Sequence, residues 1–263
     1  MKVLEREDTY AEFLDRVSSA SERVLLLDYD GTLAPFTVDR EHAFPYPEVP
    51  PLLQRISQAG TRVVLISGRP AREVMLLSGV HPHPEIWGGH GFERLKTDGT
   101  YEIQSLSSEQ EGALRVAAEM LRAHGLESEM ELKPGSVAVH WRGLDNDKTE
   151  FIEQQTSQLW TPLASAAGLE LRRFDGGLEL RAADINKGNA VSTILGECGA
   201  NSAIAYLGDD LTDEDAFRTL KGRGLSALVR PEFRTTTADI WLRPPQELIR
   251  FLTDWLGATG GER

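Results

Sequence analysis

The stretch Val24-Leu25-Leu26-Leu27-Asp28-Tyr29-Asp30-Gly31-Thr32-Leu33 constrains the fold more than any other. Its apolar run is long enough for a strand buried on both faces and too short for a helix. The run ends abruptly in two carboxylates two residues apart, followed by a glycine and a hydroxyl. Asp28 and Asp30 therefore stand where the strand leaves its sheet. In open α/β sheets that carboxyl edge is where ligands bind.

Two further stretches repeat the pattern. Arg62-Val63-Val64-Leu65-Ile66 reads as a second buried strand ending in Ser67-Gly68-Arg69, and Pro70 then opens a helix to about Leu77. Ala203 to Leu207 reads as a third, ending in Gly208-Asp209-Asp210-Leu211-Thr212-Asp213. Helices are expected at Thr9 to Ser18, Val49 to Ala59, Lys187 to Leu195 and Gln246 to Leu256, with another strand at Ser226 to Val229 and a frayed tail from Gly257. Pro50 and Pro51 fall in a first helical turn, where missing amides cost little, and Gly60 stops that helix. Strands alternating with helices imply a parallel sheet.

The texture changes in the middle of the chain. Phe92 to Lys96 and Thr100 to Gln104 flank Asp98-Gly99, a hairpin signal. Ser108 and Glu111 are expected to form a capping box for a helix to about His124, and Asp147 to cap one from Lys148 to Ala167. Glu129 to Lys133 and Ser136 to Arg142 alternate, and strands at Leu169 to Phe174 and Leu178 to Arg181 join at Asp175-Gly176-Gly177. This order suggests an α+β module, residues 101–181, inserted in an α/β core of residues 1–100 and 182–263.

Composition narrows the partners. The formal charge of -13 disfavours nucleic acid and anionic membranes. The only cysteine, Cys198, forms no internal disulfide, and the charged stretch Met1 to Asp8 lacks a signal-peptide core. No run approaches the roughly 20 apolar residues that span a bilayer. A soluble, cytoplasmic monomer is expected.

Each polar signal alone has a plain reading. Asp28-Tyr29-Asp30-Gly31 suits a turn, Ser67 a helix cap, Asp209 to Asp215 an acidic helix start, and Lys187 a surface lysine. Together they follow buried strands or open a helix, in an order that can converge at one sheet edge. A carboxylate that attacks a phosphate monoester splits one hard displacement into two easier ones. Both reactants are anionic, so a cation must lie between them, and Mg²⁺ binds through two or three protein oxygens. Asp28 and Asp209 are the natural side-chain ligands, Asp30 can add its backbone carbonyl, and Asp213 can bind through water or orient a ligand. Lys187 balances phosphoryl charge, while Ser67 and the amides around Gly68 hold its oxygens. Asp30 is placed to protonate the leaving oxygen and then deprotonate water.

Asp28-Tyr29-Asp30-Gly31-Thr32-Leu33, Ser67, Lys187-Gly188 and Gly208-Asp209-Asp210-x-x-Asp213 resemble, in sequence and order, the four motifs of haloacid dehalogenase-like phosphatases. Further stretches are similar to trehalose-6-phosphate phosphatases: Ser67-Gly68-Arg69, His90-Gly91-x-Glu93, Lys133-x-x-Ser136-x-x-x-His140-x-Arg142 and Glu179-x-Arg181. The resemblance implies a Rossmann-like core with an α+β cap, Mg²⁺, and a disaccharide phosphate as substrate. It sets Lys133 and Glu179 against the sugar. His140 and Arg142 share one strand face that either meets substrate or is solvated; His90 and Glu93 border the pocket; Arg69 contacts substrate or pairs with a nearby acid. Trp87, Trp141 and Trp160 are expected in packing rather than as sugar platforms. One departure is Ala182, where the family often has proline. Phosphatases of sucrose phosphate, glucosylglycerol phosphate or mannosylglycerate phosphate, a catalytically silent module and a phosphoacceptor switch are the alternatives.

Overall fold

The computed structural model describes residues 2–4, 9–37, 39–174 and 176–260. Asp175, the last three residues of the expected tail and most of Met1 to Asp8 lie outside the described residues. The chain opens with β1 (Lys2–Val3), α1 (Thr9–Ser19) and β2 (Glu22–Leu27). It continues through α2 (Val49–Gln58), β3 (Thr61–Ile66), α3 (Ala71–Leu77) and the strands β4 (Glu85–Gly88), β5 (Glu93–Leu95) and β6 (Tyr101–Ile103). A middle section comprises α4 (Ser108–Ala123), β7 (Met130–Lys133), β8 (Ser136–His140), α5 (Asn146–Ala167), β9 (Leu169–Phe174) and β10 (Gly177–Ala182). The chain then returns through α6 (Lys187–Glu197), β11 (Ser202–Gly208), α7 (Asp213–Leu220), β12 (Leu225–Val229), β13 (Ile240–Leu242) and α8 (Gln246–Ala258).

Among the described residues, nine strands form one sheet in the order β1-β13-β12-β11-β2-β3-β4-β5-β6. The six from β13 to β4 run parallel, and β1, β5 and β6 pair antiparallel at the edges. Alternation along β2 shows why a parallel sheet forms. Leu25 and Leu27 pack on one face with Phe13, Leu53 and Trp255 of α1, α2 and α8. Val24 and Leu26 pack on the other with Val191 of α6 and Phe217 of α7. A strand apolar on both faces needs helices on both sides, and each buried leucine contributes roughly 1.5–3 kcal/mol.

The strands β7-β8-β10-β9 form a separate antiparallel sheet covered by α4 and α5. Its core holds Leu121, Trp160, Val137, Val139 and Leu180, distinct from the two clusters flanking the main sheet. Trp87, Trp141 and Trp160 are all buried in packing. The return from β10 to α6 takes four residues. Ile185 joins the hydrophobic core of the middle section, whereas Asn186 caps α6 by accepting from the Asn189 amide at 2.9 Å.

Several local expectations shift. Tyr101–Ile103, expected in the inserted module, pairs with β5 as the edge of the main sheet, because the Asp98-Gly99 hairpin extends that sheet. The capping box of α4 is Ser107 with Gln110, one residue before Ser108 and Glu111. Asp145, not Asp147, caps α5, its Oδ1 accepting from the Lys148 amide at 2.9 Å. The edge strand β1 and its neighbour β13 carry too few residues to display a period. No helix among the described residues is long and apolar enough to cross a membrane.

Candidate active site

The central strands β11, β2 and β3 are neighbours, so Asp209, Asp28 and Ser67 emerge side by side at the carboxyl edge. Asp28 continues the β2 ladder, its amide donating to the Leu207 carbonyl at 2.8 Å. The first residue of α6 reaches across to it: Lys187 Nζ donates to Asp28 Oδ1 at 2.6 Å and to Asp213 Oδ1 at 2.7 Å. The remaining Asp213 capacity is filled by Tyr206 Oη at 2.6 Å and by the amides of Asp209 and Asp210 at 3.0 and 2.8 Å. Asp213 is thus a fully engaged positioning group. Asp209 is the opposite case. Both its carboxylate oxygens are buried and have no hydrogen-bond partner among the described residues.

Three buried carboxylates, Asp28, Asp209 and Asp213, offer oxygens within 4.8 Å of one another. With one ammonium among them, they leave a formal surplus of two negative charges. Burial pushes the Asp28 carboxyl up, the Asp213 charge adds to this, and Lys187 opposes it. Burial followed by Asp28 and Asp213 pushes Asp209 well above the usual carboxylate range. Burial alone would lower Lys187, but Asp213 and Asp28 hold its ammonium above the ordinary value. Repulsion of this kind is relieved by a shared proton or by a cation. The orphaned Asp209 oxygens beside Asp28 fit a hard divalent cation, which takes oxygen ligands and keeps water.

Asp28 and Asp209 line a cavity of about 110 Å³, tighter than the roughly 300 Å³ of ordinary ligand sites, with the middle section drawn close over the core. Its walls bring together Asp28, Asp30, Ser67, Gly68, Arg69, His90, Lys187 and Asp209 from the main sheet, and Lys133, His140, Arg142 and Phe174 from the second. Asp30 is gripped by Arg69, whose Nε and Nη2 donate to Oδ2 and Oδ1 at 2.6 and 2.8 Å. Arg69 also pairs with Glu73, so its guanidinium serves nearby acids as well as facing the cavity. Ser67 Oγ accepts from the Arg69 amide at 3.1 Å. A Cβ on Gly68 would come within 2.6 Å of the His90 ring, so this glycine makes room for the imidazole.

His90 sits at a left-handed φ of 58° at the junction of the two sheets. Its Nε2 lies 3.3 Å from Glu179 Oε2. Burial pushes the imidazole down to about 4, outweighing Glu179, so at neutral pH this contact joins a neutral ring to a carboxylate. Glu179 itself is buried beneath the cavity rather than lining it, and accepts from Lys133 at 3.2 Å and Ser136 at 2.8 Å. Burial would raise Glu179, but Lys133 and His90 hold it well below the usual range. Glu93 also stays outside the cavity wall. Its Oε2 accepts from the Ala71 amide at 2.7 Å, at the first residue of α3, which bears on helix placement. Two further residues, which the sequence reading does not single out, join this network: Arg40 lines the cavity and Glu131 stands beside its cations. Glu131 accepts from His140 Nε2 at 2.7 Å, and Arg40, from the loop after β2, pairs with Glu131 at 2.5 Å. Alternation on β7 sets Glu131 on the face of Lys133, but that gives a side and not a partner.

Comparison with known proteins agrees with this geometry. The trehalose-phosphatase family model matches residues 26–239. A trehalose-phosphate phosphatase of Mycobacterium tuberculosis is 30% identical over 249 residues, which cover 88% of this chain and 61% of the relative. A probable trehalose-phosphate phosphatase C of Arabidopsis thaliana is 26% identical over 95% of this chain and 83% of its own length. Among solved structures, the C-terminal domain of the trehalose-6-phosphate phosphatase of C. albicans shares the fold, with a TM-score of 0.78 over 99% of this chain and 98% of that one at 22% identity. The chain spans about three fifths of the mycobacterial relative, and the matched stretch runs from inside β2 to beyond Asp213. The chain belongs to the trehalose-phosphatase family.

Proposed function

We propose that this chain hydrolyses trehalose 6-phosphate to trehalose and phosphate, with Mg²⁺ and through an aspartyl-phosphate on Asp28. The observation that carries the proposal is the orphaned, buried Asp209 carboxylate beside Asp28 and Lys187, facing a cavity walled by a second sheet. The family and the names of its relatives supply the substrate. In this scheme an Asp28 oxygen forms a bond to phosphorus while the bond from phosphorus to the sugar oxygen breaks, and Asp30 gives that oxygen its proton. Water then attacks the acyl phosphate, Asp30 takes its proton, and phosphate leaves with Asp28 restored. A proton on Asp30 turns one of its oxygens from acceptor to donor, so Arg69 must release one of its two bonds. Glu73 already shares that guanidinium. Asp28 and Asp209, with the Asp30 carbonyl, would hold Mg²⁺, which when bound screens the phosphate from the attacking carboxylate. Lys187, Ser67 and the Gly68 amide are assigned to the phosphoryl oxygens. The inserted section, from Leu106 to Ala182, is assigned to the sugar as a specificity cap, through Lys133 and His140, with Glu179 holding Lys133.

Phosphate release from trehalose 6-phosphate, measured beside sucrose phosphate, glucosylglycerol phosphate and mannosylglycerate phosphate with and without Mg²⁺, tests the assignment. Trehalose 6-phosphate is expected to show the highest kcat/KM, and only with metal. Asp28→Asn retaining full activity would refute the covalent step.

A further inference from the structure

Among the described residues, the loop between β2 and α2 touches the inserted section through Phe36 and Arg40. The Arg142 guanidinium lies 4.6 Å from the centre of the Phe36 ring. Arg40, in a single 3-10 turn (Arg40–His42), sends its guanidinium to Glu131 Oε2 at 2.5 Å. The same Glu131 oxygen receives His140 Nε2 at 2.7 Å and lies 3.7 Å from Lys133 Nζ. Arg40 Nη1 is 3.4 Å from His140 Nε2; with the Nε2 hydrogen directed at Glu131, that approach is proximity and not a second bond. The Arg40 carbonyl meanwhile accepts from Arg69 Nη1 at 2.8 Å, and Arg69 grips Asp30. One residue thus touches the carboxylate that aligns the insert's cavity-facing cations and the guanidinium that aligns Asp30.

We propose that Arg40 is a positioning residue that sets substrate specificity. By anchoring Glu131 to the core, it brings Lys133 and His140 to rest over the phosphate site. An exposed ion pair contributes little by itself. This pair differs in what it orients. Glu131 accepts from His140, pairs with Arg40 and lies within ion-pair distance of Lys133, and only Arg40 among those three belongs to the core. A phosphate ester without a second sugar reaches the Asp28 cluster but has nothing for Lys133 and His140 to hold. A disaccharide phosphate needs both halves aligned. Arg40 therefore acts on discrimination between the two. The inference rests on the assignment of the insert to the sugar.

The test is a double-mutant cycle in the full chain with Mg²⁺, using Arg40→Ala, Glu131→Gln and the double variant. The readout is the ratio of kcat/KM for trehalose 6-phosphate to that for p-nitrophenyl phosphate. Arg40→Ala is expected to lower this ratio about tenfold, mainly through KM, and the double variant to be no worse than Glu131→Gln, since interacting neighbours are not additive. Arg40→Lys is expected to restore part of the ratio. Additive effects, or an equal loss with both substrates, would overturn the proposal. Turnover of p-nitrophenyl phosphate without trehalose 6-phosphate would sink the substrate assignment, not the coupling; the cycle is then read on the sugar phosphate that does react and on melting temperature. A wild-type chain that turns over no phosphate ester would overturn both.

Discussion

His90 gives the most quantitative test of the charge balance at the junction of the two sheets. Its unfolded imidazole titrates near 6.5, whereas burial lowers it to about 4 in the folded chain. Between those values the unfolded state binds the extra proton, so stability falls as pH falls. The contribution is intact above about pH 6.5 and is lost progressively toward pH 4. From pH 7 to pH 5 the loss from this one residue comes to roughly 2 kcal/mol. The perturbation is His90→Asn, because asparagine accepts the left-handed backbone at φ 58° and does not titrate. Urea unfolding, followed by tryptophan fluorescence at half-unit steps, gives the stability of each protein. The variant carries a pH-independent cost from its lost packing on Gly68, and the slope against pH carries the information. The wild-type advantage over His90→Asn is expected to shrink by roughly 2 kcal/mol across that interval. A gap that stays constant within about 0.5 kcal/mol would refute the reasoning, since it would mean that attraction to Glu179 offsets burial and leaves the ring unshifted; a gap that widens toward acid would refute it more strongly, since attraction would then outweigh burial.

Two further outcomes follow from named contacts. Asp209→Asn removes charge from a cluster that holds too much of it, so in chelator the variant is expected to melt above the wild type, while the rise on adding Mg²⁺ disappears; thermal melts with and without the ion read both signs. Ser107→Ala removes the side chain that accepts from the Gln110 amide at 3.1 Å and should cost about 1 kcal/mol of unfolding free energy, with kcat/KM unmoved.

Legibility divided along physical lines. Strands β2, β3 and β11 were readable because double-sided burial writes continuous apolar runs, and the groups needed at the sheet edge follow those runs directly: Asp28, Ser67 and Asp209. Lys187 was readable because it opens a helix, although its contact with Asp28 spans 159 residues. Caps slipped by one or two positions where neighbours compete, as Ser107 with Ser108 and Asp145 with Asp147. Edge strands carry little period, so Tyr101–Ile103 was attributed to the wrong sheet. Arg69 was open between substrate and a nearby acid, and only three-dimensional proximity revealed Asp30 and Glu73 together. Glu93 and Glu179 looked like sugar ligands, yet both face inward, because alternation gives a side and not a depth. Arg40 and Glu131 left no local trace; 91 positions separate them, and an ion pair imposes no spacing.

The four-residue return from β10 to α6 has a consequence for recombination. Ile185 belongs to the insert's hydrophobic core, and Asn186 caps the helix that begins with Lys187. The seam between the two hydrophobic cores therefore runs through one peptide bond, with Lys187, which reaches Asp28, two residues beyond Ile185. On the outgoing side Gln104 still bonds to the Gly91 carbonyl, while Leu106 already packs in the insert. A transplant of another relative's insert is best joined at Ser105 and between Ile185 and Asn186. A later return junction would exchange the helix cap together with the insert, and would move Lys187 away from the core residues it is bonded to.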